Sequence, residues 1–108
     1  MKIYVDFNQI PLGYLAQINN AYAFVAFEEG FNKAKLENVF VLKMFPLNTK
    51  GEKIFLSLPT FFEQFLPSKE RTDLIKKAQI KDCDSKFEKL YKIAGLKNMA
   101  INFQLRQG

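Results

Sequence analysis

Apolar residues alternate with other residues at the start of the chain. Ile3, Val5 and Phe7 are each separated by one residue, and this period of two predicts a short β-strand over residues 3–7. Pro11 and Gly13 then interrupt the alternation. The pattern therefore predicts a first strand that is confined to residues 3–7.

Three further segments predict the strands of an antiparallel meander. Residues 21–27 are apolar on both sides and rich in aromatic rings, which is typical of an interior strand. A second apolar segment covers residues 39–45, and a third covers residues 53–58 after the turn-forming cluster at 48–51. Because the connections are short, these strands are predicted to pair with their neighbours in sequence.

The second half of the chain predicts three helices. Thr60 and Glu63 have the spacing of a capping box, which predicts one or two helical turns over residues 61–66. Ser68 is predicted to cap a helix that runs to about residue 80. Ser85 and Glu88 form another capping box, and Gly95 is well placed to end the helix that follows. The apolar face of this last helix consists of Phe87, Leu90, Tyr91 and Ala94.

The last residues predict a closing strand. Met99, Ile101, Phe103 and Leu105 occupy alternate positions, as in a strand with one buried side. With 108 residues, of which 48% are apolar, the chain has the material for one core. We therefore predict a single α+β domain over residues 1–108. It should contain a small antiparallel sheet (a meander) of four or five strands, with two or three helices packed on one face.

The chain offers few groups for catalysis. It contains no histidine, which removes the commonest general base and metal ligand at neutral pH. Cys83 is the only cysteine, so it can form no intramolecular disulfide and is interpreted as a spare thiol. Glu28 with Glu29, and Asp82 with Asp84, are interpreted as turn and helix-cap residues. The sequence predicts a protein that is not an enzyme and that uses no cofactor or metal.

The start of the chain lacks the apolar h-region and cleavage site of a signal peptide. No apolar run approaches the roughly 18 residues of a membrane span. The expected location is cytoplasmic, without a membrane partner.

The net charge of +5 favours an anionic partner such as DNA or RNA. Residues 61–108 carry ten Lys or Arg against six acids, so the excess lies in the C-terminal part. Lysines on exposed helix faces can contact phosphates, although ordinary solvated positions would give the same count. The candidates are Lys69, Lys76, Lys77, Lys81, Lys86, Lys89 and Lys92.

Aromatic residues support two interpretations. Rings on an open sheet face can stack on unpaired bases, and otherwise they form core. The candidates for stacking are Tyr22, Phe24, Phe40 and Phe55. The alternative function is a protein-interaction module, such as a small inhibitor or accessory protein of a phage or mobile element. Its anchor would be an exposed patch formed by Phe61, Phe62 and Phe65.

Three stretches of the chain carry a resemblance to a known family. They are AYAFVAFEEGF at 21–31, LENVFVL at 36–42 and GEKIFLSLP at 51–59. Together with residues 68–78, which look like a short C-terminal helix, they resemble the stage V sporulation protein G family. The resemblance implies a site-selective DNA- or RNA-binding regulator that dimerises by strand pairing. It also implies phosphate contacts by Lys69, Arg71, Lys76 and Lys77.

Overall fold

The structure is a computed structural model that describes residues 1–37, 45, 47–98, 100 and 102–108. The chain is built around one five-stranded sheet. These residues contain five strands and four helices. In chain order they are β1 (Lys2–Phe7), β2 (Ile10–Ile18), β3 (Ala21–Ala26), α1 (Glu28–Glu37), β4 (Gly51–Phe55), α2 (Thr60–Glu63), α3 (Thr72–Lys77), α4 (Lys86–Ala94) and β5 (Phe103–Gln107). The predicted α+β fold class is confirmed.

The strand order across the sheet is β4-β3-β2-β1-β5, and every neighbouring pair is antiparallel. The first four strands follow one another across the sheet, so a meander is confirmed, and β5 returns to pair with β1. The predicted pairing of residues 21–27 with residues 39–45 is wrong, because the partners of β3 are β2 and β4. β4 overlaps the strand that was predicted over residues 53–58. The strand predicted over 39–45 falls outside the described residues, apart from Phe45, which is buried.

β2 is the central strand, and the alternation of residues did not predict it. Pro11 and Gly13 lie within β2, where its pairing with β1 shifts register. Gly13 has a φ of 156°, and a Cβ atom there would lie 2.3 Å from the carbonyl oxygen of Val25. Glycine avoids this overlap because it has no side chain. The strand predicted over residues 3–7 is confirmed as β1, but Pro11 and Gly13 lie within a further strand, because an irregularity inside the sheet accommodates both residues.

One face of the sheet forms the core. Ile3, Val5 and Phe7 of β1 are fully buried on this face. The helices contact it through aromatic rings: Phe62 of α2 lies 6.4 Å from Phe24, measured between ring centroids. Side chains alternate between the two faces along a strand, so Tyr4 and the other residues between the buried ones point to the opposite face. Further core contacts join Tyr22 to Phe87, Phe61 to Phe103, and Phe45 to both Phe24 and Phe31.

α1 begins where a turn was predicted. Glu28 and Glu29 form its first turn, where acidic side chains interact favourably with the positive end of the helix dipole. Gly30 is buried, and a Cβ atom there would lie 1.8 Å from the carbonyl oxygen of Pro11. The glycine therefore allows the helix backbone to approach β2 closely, and it does not end an element. Glu28 and Glu29, which were interpreted as turn and helix-cap residues, therefore lie at the start of a helix that the sequence did not predict.

The last helix is confirmed in detail. The Ser85 hydroxyl accepts a hydrogen bond from the Glu88 N–H at 3.1 Å, and the Ser85 N–H donates to the Glu88 carboxylate at 3.4 Å. This is the predicted capping box. Gly95 is the C-terminal cap, as expected, although its φ of −78° is helical rather than left-handed. Leu90 is fully buried on the face that was predicted to pack.

The two shorter helices begin elsewhere than predicted. α2 has Pro59 as its N-terminal cap and no capping side chain, so the capping box of Thr60 and Glu63 is wrong. α3 begins only at Thr72, and the carbonyl of Ser68 accepts a hydrogen bond from the Arg71 N–H in a preceding turn. Ser68 is therefore not a helix cap. Among the described residues, no helix has the length and apolar character needed to cross a membrane.

The side chain of Asn98 forms hydrogen bonds with the outer edge of β5. The Leu105 N–H donates to the Asn98 side-chain oxygen at 2.8 Å, and Asn98 Nδ2 donates to the Leu105 carbonyl at 3.1 Å. Phe103 and Leu105 are buried, as the alternation predicted. Met99 and Ile101, which belong to the same predicted strand, lie outside the described residues.

Candidate nucleic-acid interface

Three aromatic rings cluster on the sheet face opposite the core. Tyr4 of β1 and Tyr14 of β2 are direct cross-strand partners, and their ring centroids lie 5.7 Å apart. Phe27, which follows β3, completes the cluster at 6.3 Å from Tyr4 and 6.1 Å from Tyr14. The Phe27 N–H donates to the Leu12 carbonyl at 2.8 Å, which extends the ladder and fixes the ring on this face. We call Tyr4, Tyr14 and Phe27 the aromatic cluster; all three side chains are half-buried.

Two cations lie over the tyrosine rings. Lys2 Nζ is 4.5 Å from the ring centroid of Tyr14, and the Arg106 guanidinium carbon is 4.7 Å from that of Tyr4. Both distances allow a cation–π attraction. Lys2 is exposed, so its ammonium group is also accessible to a ligand above the rings.

Arg106 is held in place by Asp6. Its Nε lies 2.6 Å from Asp6 Oδ2 and its Nη2 lies 3.3 Å from Asp6 Oδ1, a bidentate pair. The Asp6 side chain is only 10% exposed, whereas that of Arg106 is 46% exposed. The hydrogen bond to Asp6 raises the pKa of Arg106, so the guanidinium stays charged. The pair therefore fixes a planar cation over Tyr4 and leaves part of it exposed to solvent.

This arrangement suits the recognition of unpaired bases. Aromatic rings on a strand can stack on successive bases, while nearby cations contact the sugar-phosphate backbone. The bases of a duplex are already stacked on one another, so these rings favour a single strand. Stacking on the rings and contacts with the cations form and break no covalent bond.

The basic residues predicted from the sequence lie on the helical side of the molecule. Lys69, Lys76 and Lys77 are exposed, and within the described residues they form no ion pair. Lys89 is half-buried. Lys81 is exposed. The remaining three candidates are paired with acids: Arg71 with Asp73 at 3.6 Å, Lys86 with Glu63 at 3.0 Å, and Lys92 with Asp84 at 2.5 Å.

The pair between Lys92 and Asp84 has a structural role. Asp84 accepts a hydrogen bond from the Lys81 N–H at 2.9 Å, and Lys92 Nζ also donates to the Gln79 carbonyl at 3.0 Å. The hydrogen bond from Lys81, followed by that from Lys92, lowers the pKa of the Asp84 carboxyl. Lys92 therefore joins α4 to the segment that follows α3, and its charge is compensated.

The aromatic patch predicted for a protein partner is not exposed. Phe61, Phe62 and Phe65 are 8%, 0% and 7% exposed, respectively. They are buried because α2 lays its rings against the sheet, where Phe61 lies 5.1 Å from Phe103 between centroids. The expectation of an anchor at these three residues is wrong.

Of the four aromatic residues that could either stack on bases or form core, two belong to the core. Phe24 is fully buried in the core, and Tyr22 packs against Phe87 on the same face. Phe55 is half-buried with Lys53 Nζ 5.3 Å from its ring centroid, and Phe40 lies outside the described residues. The sheet face that remains open carries the aromatic cluster in their place.

Sequence reasoning missed all five residues of this surface. The alternation in β1 contained a signal, since burial of Ile3, Val5 and Phe7 places Tyr4 on the other face. Tyr14 could not be assigned to a face because β2 was not predicted. Lys2 and Arg106 lie near opposite ends of the chain, and only the pairing of β5 with β1 brings them together.

Comparison of the sequence with models of protein families and with curated proteins gives no match. The relationship to the stage V sporulation protein G family stays a prediction.

Proposed function

We propose that the protein binds single-stranded nucleic acid without catalysing a reaction. The observation that carries this proposal is the aromatic cluster on the open sheet face, with Lys2 and Arg106 over its tyrosines. The net charge of +5 favours such an anionic ligand. One base stacks on the Arg106 guanidinium over Tyr4, and another stacks on Tyr14 when the exposed Lys2 leaves that ring to contact the backbone of the same strand.

The sheet face is a better interface than the helical side. Both surfaces contain cations that are paired with acids: Arg106 on the sheet face, and three of the eight predicted cations on the helical side. That surface has charge, but its aromatic residues at Phe61, Phe62 and Phe65 are buried. The sheet face combines three half-buried rings with two cations that are partly exposed.

Fluorescence anisotropy with a labelled single-stranded oligonucleotide tests the proposal. Replacing Tyr14 by Leu keeps an apolar side chain but removes the stacking surface. Stacking on an aromatic ring is worth about 1–3 kcal/mol per base, so Tyr14→Leu should weaken binding by about 5- to 150-fold. Lys2→Gln should also weaken binding and reduce its salt dependence. The matched control is Lys76→Gln on the helical side, which should bind like the wild type.

Two results would contradict the proposal. The first is the absence of binding by the wild-type protein at low salt. The second is a Tyr14→Leu variant that is folded by circular dichroism and binds with unchanged affinity.

A protein partner is the second candidate function, favoured by a specific observation at β4. Ile54 and Leu56 are 53% and 89% exposed at this edge of the sheet, whereas Asn98 binds the edge of β5. Exposed apolar residues on an edge strand are typical of strand addition by another chain. A second copy of the protein, giving a homodimer, is the simplest such partner. A monomeric mass in light scattering, at a protein concentration of tens of micromolar, would rule out the homodimer.

A further inference from the structure

A groove of about 350 Å³ lies beside the aromatic cluster. Its walls come from the start of β2 and the first turns of α1. Gly30 lines it without a side chain, because the helix backbone lies directly against Pro11 at this point. The residues around the groove are Ile10, Pro11, Phe27, Glu29, Gly30 and Lys33.

Phe27 connects this groove to the aromatic cluster. The same ring contacts Tyr4 and Tyr14 on one side and lines the groove on the other. A strand stacked on the tyrosines therefore has the groove directly beside its next base. We propose that the groove holds one nucleobase of the bound strand and selects for a base that carries an exocyclic amino group. This inference rests on the proposed function.

The chemistry of the groove supports this selection. Ile10, Pro11 and Phe27 provide apolar walls that suit the faces of a flat ring. Glu29 provides a carboxylate, whose two oxygens accept hydrogen bonds. The amino groups of cytosine, adenine and guanine donate to such an acceptor. Thymine and uracil offer only the ring N3–H, which lies between two carbonyl oxygens that repel a carboxylate.

Lys33 completes the groove. Its Nζ lies 3.7 Å from Glu29 Oε1, and the two side chains are 64% and 86% exposed, so their ion pair is weak. A base can therefore replace Lys33 as the partner of Glu29 with little loss of free energy from the broken ion pair. The released ammonium group then contacts the phosphate of the same nucleotide.

The experiment compares short labelled oligo-dC and oligo-dT by fluorescence anisotropy. The wild-type protein should bind oligo-dC about five- to tenfold more tightly, as the typical net contribution of one hydrogen bond at an exposed site allows. Glu29→Ala should reduce this ratio to about one. The matched control is Glu28→Ala, because Glu28 is the neighbouring exposed acid of the same helical turn but does not line the groove. It should keep the wild-type ratio.

The ratio of the two affinities separates the possible outcomes. Removing either acid strengthens binding of any polyanion, and this general effect cancels in the ratio. Binding of neither oligonucleotide by the wild type overturns the proposed function and, with it, the inference. Equal wild-type affinities, or an unchanged preference in Glu29→Ala, overturn only the groove inference. An equal loss of preference in Glu28→Ala also overturns it, because the effect would then not come from the groove.

Discussion

Two leucines provide a direct test of the core. Leu90 on α4 is fully buried, whereas Leu36 on α1 is 89% exposed. Both lie on helices, so Leu→Ala removes the same atoms and makes the same small change in helix propensity at each position. The two variants therefore differ chiefly in burial.

The expected loss at Leu90 is about 2–5 kcal/mol, since the cavity adds to the lost burial of the side chain. A domain of this size is stable by roughly 5–15 kcal/mol, so Leu90→Ala should remove a large part of the total. Its midpoint of thermal unfolding should fall by about 10 °C or more. Leu36→Ala should change the free energy of unfolding by no more than about 0.5 kcal/mol.

Urea unfolding followed by far-ultraviolet circular dichroism measures both free energies. Tyrosine fluorescence serves as a second probe, because the chain has four tyrosines and no tryptophan. Coincident transitions by the two probes establish two-state behaviour. A loss below about 1 kcal/mol at Leu90, or equal losses at the two positions, would refute the assignment of α4 to the core.

Three further predictions concern the helical side. Replacing both Lys76 and Lys77 by Glu should weaken oligonucleotide binding less than Tyr14→Leu does. A larger effect would indicate that the nucleic acid binds at α3 and not at the aromatic cluster. Asp84→Asn should destabilise the protein at neutral pH and less below the ordinary carboxyl pKa of 3.8. The reason is that a lowered pKa stabilises the fold above that value, and this contribution is lost as the pH falls through the lowered pKa. Urea unfolding at several pH values measures the difference, and a pH-independent difference would contradict it. Cys83 is exposed, so Cys83→Ser should leave both stability and oligonucleotide affinity unchanged.

Elements with local signals were predictable from the sequence. The capping box of Ser85 and Glu88 and the apolar face that follows them are contained within a few residues, and α4 forms as they indicate. The buried residues of β1 and β5 follow their alternation in the same way. In these segments the local preference and the tertiary packing agree.

The elements that were missed depend on contacts between distant residues. Gly13 and Gly30 look like breakers in the sequence, yet each is required where one backbone lies against another. Their partners, Val25 and Pro11, come from other strands or helices, so no local pattern identifies them. The aromatic cluster was missed for the same reason, because its three rings come from three parts of the chain.

Asn98 holds a position that a sixth strand would otherwise occupy. Its amide group satisfies both polar backbone groups of Leu105 and also lies within hydrogen-bond distance of the carbonyls of Ile93 and Leu96. Asparagine is a thermolabile residue, and hydrolysis of its amide would place a carboxylate against these three carbonyl oxygens. The edge of β5 would then lose its protection and become a template for aggregation. The protection of this sheet edge against strand addition therefore depends on the amide group of one side chain.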